Sequence, residues 1–152
     1  MAGRHETQAA REAAPERVAS VVTDFFDALE RGDREGAEEL MSETFDRAFE
    51  FASGVTFVVE GRTHLGVAGM RRYIDEVLDA FDIAYENREL RAVGDSVVVF
   101  LADVVAKGHS SGASVTKEIG YLFRHRDGLI TRGASYPSRE LALAQAEEAA
   151  GD

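Results

Sequence analysis

The spacing of apolar residues along this chain changes period. Val18, Val21, Val22, Phe25, Phe26 and Leu29 recur at helical intervals, which predicts an amphipathic first helix with Pro15 in its opening turn. Gly32 is placed to end that helix and Asp33 to cap a short second one, whose buried side carries Ala37, Leu40 and Met41. Phe45, Phe49 and Phe51 lead into a first strand expected near Val55 to Glu60. Val67, Met70, Ile74, Val77, Leu78 and Phe81 then form the stripe of a third helix over 67–81.

After that helix the period drops to two. Strands are predicted at 84–93, 96–107, 116–126 and 129–136, separated by turn residues at 93–96, a looser stretch at 108–112, and an Asp127-Gly128 pair suited to a tight hairpin. Ser138 can cap a last helix reaching Ala149. Residues 1–14 read as a flexible tail and 15–149 as one domain. The order predicts an α+β fold: two N-terminal helices and a curved antiparallel meander wrapped around a long helix. A hollow between sheet and helix is where a small molecule would sit.

Composition narrows the partners. A formal charge of −11 argues against nucleic acid, which needs clustered Lys and Arg, and against an anionic membrane surface. No apolar run approaches a bilayer-spanning length, and the N-terminus lacks the apolar core of a secretory signal. The absence of cysteine removes thiol chemistry and suits a cytoplasmic setting. No H-E-x-x-H, Rossmann, P-loop or nucleophile-elbow pattern occurs, so neither metal nor organic cofactor is expected.

One stretch stands out chemically. VVVFLADVVAKG, residues 97–108, sets Asp103 inside an apolar strand. Alternation puts Val97, Val99, Leu101, Asp103, Val105 and Lys107 on one face, with Phe100, Ala102, Val104 and Ala106 on the other. Both faces are apolar enough to need cover: one meets the helices, and the other is available to a second subunit. A buried carboxylate is costly unless paired. Asp103 is therefore a pocket acid, the partner of Lys107 or an arginine, or a residue exposed past a bulge.

Several segments resemble a known family. VVTDFFDALERGDREGAEELM is similar to the opening helix pair of SnoaL-like domains of the nuclear-transport-factor-two-like superfamily. GRTHLGVAGMRRYIDEVLDAF resembles their third helix, and LRAVGDSVVVFLADVVAKG with YLFRHRDGLITRGASYPSRELALA their closing meander. The likeness runs from Pro15 to Ala149 and implies a conical pocket and a homodimer packed through the sheet face. Members include polyketide cyclases and ketosteroid isomerases, several using an aspartate inside the cone with Tyr, His or Asn holding an oxygen. Tyr136-Pro137-Ser138 departs from the acidic residue that relatives often carry after the last-strand aromatic.

The resemblance points the Leu101/Asp103 face into the cone. It makes Asp103 a candidate acid–base group, with Tyr121 as an oxygen-holding hydroxyl and His64 as a second proton carrier. The expected substrate-binding wall adds Phe26, Phe57, Tyr73, Leu101 and Phe123, with His125 and Tyr136. Each has a plainer alternative: core packing for Tyr73 and Tyr136, an exposed loop for His64, a wet strand end for His125. Glu118 reads as surface or interface, Arg71-Arg72 as a solvated face, and His5 and His109 as bystanders. The functional expectation is a site for a hydrophobic, ring-bearing metabolite, with or without cofactor-free isomerase, cyclase or hydrolase chemistry; the other reading is a non-catalytic binding or dimerisation domain.

Overall fold

The computed structural model describes residues 8–54 and 63–151. Among these, the chain runs α1 (Gln8–Arg31), α2 (Arg34–Thr44), β1 (Phe45–Ser53), β2 (Thr63–Leu65), α3 (Gly66–Ala80), β3 (Phe81–Val93), β4 (Val97–Gly108), β5 (Ser114–Arg126), β6 (Leu129–Tyr136) and α4 (Arg139–Ala150). The third helix and the four meander strands fall within three residues of the predicted limits. The predicted caps form: Asp33 accepts the Gly36 N–H at 2.9 Å, and Ser138 accepts that of Leu141 at 3.0 Å. Gly32, at φ 72°, takes the left-handed turn that ends α1.

Two boundaries differ. Helix α1 begins at Gln8, so Pro15 sits inside it, not in its first turn. The aromatic run Phe45–Phe51 is itself strand β1. The strand expected near 55–60 lies outside the described residues.

The strands form one six-stranded sheet in the order β2-β1-β6-β5-β4-β3. The meander is antiparallel, while β1 joins β6 in parallel, with a register shift between Phe45 and Glu50. This open order leaves β2 and β3 as outer strands, and an open edge invites unwanted pairing. On β3, Glu30 of α1 accepts the Tyr85 backbone N–H at 2.7 Å, which covers part of that edge.

Each sheet face has its own helical cover. Phe26, Phe100, Val104, Ile119 and Phe123 belong to the core shared with α1, α2 and α3. Val97, Val99, Leu101 and Leu122 pack instead with Ala142 and Ala146 of α4. The expected orientation of β4 is therefore reversed. Phe100 and Val104 face inward and are not available to a second subunit; Leu101 faces outward under α4. Phe100, Ala102, Val104 and Ala106 carry no charge, so their face is the cheaper one to enclose.

Helices α2 and α3 are clasped by ions. Arg71 reaches Asp75 (3.0 Å), Glu35 (3.2 Å) and Glu38 (3.4 Å), while Arg34 reaches Asp75 (3.1 Å) and Asp79 (2.7 Å). Burial opposes the charge on Asp75, yet the two guanidiniums outweigh it and hold its pKa below the ordinary carboxylate value. Arg71 is thus a clasp between helices and not simply a solvated side chain.

Candidate functional site

Between α1, α3 and the inner sheet face lies a cavity with about 50 Å³ of open space. Phe25, Phe26 and Leu29 reach it from α1, and Met70, Tyr73, Ile74, Val77 and Leu78 from α3. The sheet and its edge supply Phe51, Ile83, Tyr85, Val104, Ile119, Tyr121 and Phe123. Spacing explains the convergence. On α3 the lining residues recur every three or four positions, and on β5 Ile119, Tyr121 and Phe123 alternate.

Among the described residues the wall is apolar apart from three phenols. Burial pushes the pKa of Tyr85 well above the phenol range, and Tyr73 and Glu30 add to the shift. Burial does the same for Tyr121, reinforced by Tyr85 and Tyr73. A phenol held neutral donates a hydrogen bond and removes no proton near neutral pH.

This arrangement has a measurable consequence. An acid whose folded pKa is raised binds its proton longer in the native state than in the unfolded chain. The resulting stability is fully present below about pH 10, the ordinary phenol value, and is lost as pH climbs beyond it toward the folded pKa. In an alkaline titration followed by phenolate absorbance and near-ultraviolet dichroism, Tyr85 and Tyr121 should ionise only as the fold opens. More than two of the four tyrosines titrating with the dichroism intact would contradict this.

Of the expected site residues, Phe26, Tyr73, Tyr121 and Phe123 line the cavity. His64 is buried at 5% exposure on β2, paired with Phe51, its ring 4.4 Å from that of Tyr73. It stands behind the wall, neither exposed nor lining the cavity. His125 is likewise buried at 5%, the reverse of a wet strand end. It is outside the cavity, its Nε2 has no hydrogen-bond partner among the described residues, and burial lowers its pKa against a weaker pull from Asp95. Tyr136 packs with the outer cluster, and Phe57 lies outside the described residues.

Asp103 is on the far side of the sheet from the cavity. Its Oδ2 accepts the Asn87 Nδ2–H at 2.8 Å, and its Oδ1 lies 3.8 Å from Arg139 Nη2. Arg139 opens α4; its backbone N–H donates to Glu118 Oε1 at 2.6 Å and its Nη2 to the Asn87 carbonyl at 2.8 Å. The acid that interrupts the apolar strand therefore belongs to the anchor of α4, in agreement with the arginine-pair reading. Glu118 shares that anchoring role.

His109 also has a place. Its two ring nitrogens face the Asp79 carbonyl (2.8 Å) and Asp82 Oδ1 (2.9 Å), an arrangement satisfied on both sides only by the doubly protonated ring. The Asp82 carboxylate, then the Asp79 carbonyl, raise its pKa.

Sequence reading missed Tyr85, Phe25, Phe51, Val104 and Ile119 as lining residues. The alternation Ile83-Ala84-Tyr85 could have identified Tyr85, had β4 been oriented by its uncharged face.

Comparison with known proteins follows the same outline. The SnoaL-like domain family matches residues 22–133. A Xanthomonas campestris protein provisionally named a polyketide cyclase superposes with a TM-score of 0.69 at 18% identity, over 88% of this chain and 98% of its own. An NTF2-like protein from Burkholderia xenovorans gives 0.66 at 22% identity, over 87% and 96%. A Catenulispora acidiphila protein with a ketosteroid isomerase-like fold, in complex with trimethylamine, gives 0.64 at 16%, over 83% and 91%. No curated protein matches the sequence. No helix among the described residues is long and apolar enough to cross a membrane. With a match across most of its length, the chain belongs to the SnoaL-like domain family.

Proposed function

We propose that the cone binds a compact hydrophobic molecule carrying one hydrogen-bond acceptor, which the neutral tyrosine hydroxyls receive. The observation that carries this is the wall itself, which among the described residues is apolar except at Tyr73, Tyr85 and Tyr121. An apolar cavity with a few convergent polar groups is the usual form of a small-molecule site. The Catenulispora protein, of similar fold, is itself in complex with a small molecule, trimethylamine. Binding is the reading the wall supports, since among the described residues it holds no carboxylate, imidazole or amine to move a proton, only hydroxyls that can hold an oxygen. Asp103, across the sheet, has no part in it.

Acetone tests the proposal, with the methyl resonances of Ile74, Val104 and Ile119 as reporters. Saturable shifts confined to these methyls are expected, at roughly millimolar affinity for so small a ligand. Tyr121→Phe should weaken binding about 3- to 10-fold, the worth of one neutral hydrogen bond. Asp103→Asn should leave it unchanged. Linear, unsaturable shifts spread over the protein would end the proposal.

A further inference from the structure

We infer that Phe26 sets the upper size of what the cone admits; this rests on the binding proposed above and specifies its ligand class. The ring of Phe26 is buried at 2% exposure and lines the cavity. It stacks on Phe100 at 4.1 Å with 10° between the planes. Tyr121 stands 4.8 Å away, Tyr85 5.1 Å and Phe123 6.1 Å, centroid to centroid. Phe26 is therefore the ring around which the others assemble, and it occupies space that would otherwise continue the hollow.

The remaining 50 Å³ is small. A buried cavity that accepts benzene measures about 150 Å³, so this space is roughly a third of what a six-membered ring needs. That suits a branched ligand with three or four heavy atoms and excludes a six-membered ring. Replacing Phe26 removes an arene from the cavity wall while its ring neighbours remain held by β3, β4 and β5. The class assigned to the wild-type site is thus a compact, acyclic molecule with one acceptor.

The test holds the acceptor constant and changes only size. Acetone and cyclohexanone are titrated into the wild-type chain, Phe26→Leu and Phe26→Ala, reading the same methyl resonances. Phe45→Leu, a buried ring replacement away from the cavity, controls for general loosening. Wild type should respond to acetone and not saturate with cyclohexanone. Either Phe26 variant should bind cyclohexanone at least tenfold more tightly than wild type does, and Phe45→Leu should show no such gain. Phe26→Leu retains apolar branching at the site, so the comparison survives if Phe26→Ala does not fold. Wild type binding cyclohexanone as tightly as the variants, a folded Phe26→Leu without the gain, or an equal gain in Phe45→Leu overturns the assignment. A wild type silent toward acetone removes the binding proposal; a cyclohexanone gain in the Phe26 variants alongside that silence would still support the size assignment.

Discussion

Phe26→Ala should lower the unfolding free energy by about 3–5 kcal/mol, the range for deleting a buried aromatic ring. The ring is almost fully enclosed, and its contacts come from four other aromatic side chains on β3, β4 and β5 besides its neighbour Phe25. Those partners sit on hydrogen-bonded strands and cannot collapse into the gap, so the full cavity term is expected. Against a typical total of about 5–15 kcal/mol this is a large fraction. Urea unfolding should show a lower midpoint at an unchanged slope. A loss below about 1 kcal/mol would mean that the cluster closes over the vacancy, and that Phe26 does not hold the cone's shape.

The second large effect is on the opposite face. A Cβ at Gly120 would fall far inside contact distance of the Ala142 Cβ, and it would also meet Leu101 Cδ2 at 3.1 Å and the Ser138 carbonyl at 3.3 Å. The helix α4 lies so close to β5 that only a bare backbone fits. Gly120→Ala should therefore cost about 1–3 kcal/mol by overpacking. The loss should concentrate in α4, visible as faster amide exchange there than in β4. Unchanged exchange in α4 with wild-type stability would show that the helix yields freely. Asp103, Asn87, Glu118 and Arg139 tie the first turn of α4 down, so its freedom to shift is limited there.

Much of the fold was legible because local chemistry dictates it. The helical stripe of α3 and the alternation of β4 and β5 each require one element type, and Asp33, Ser138 and Gly32 mark ends through hydrogen bonds and backbone freedom that act over three or four residues. The candidate site was half legible. Phe26, Tyr73, Tyr121 and Phe123 were expected in the wall and line it, because each sits on the apolar face of a clearly periodic element. Asp103 and Leu101 were assigned to the wrong side by the resemblance, and the strand could not correct it: β4 is apolar on both faces, and a period of two defines two sets without saying which is inside. The cover of the outer set was hard to read, since α4 meets the sheet through Ala142 and Ala146, whose small side chains make a faint stripe.

The sequence by itself determined the order of the described helices, the four-stranded meander, most of their boundaries, and the two side-chain sets that each strand presents. These follow from neighbours along the chain. The tertiary structure decided the parallel pairing of β1 with β6, the inward turn of Phe100 and Val104, the outward anchoring of Asp103, and the gathering of Tyr73, Tyr85 and Tyr121 around one small cavity. Each joins residues far apart in sequence. Which pairing wins depends on the surface that all the elements bury together, and no local window of residues carries that sum.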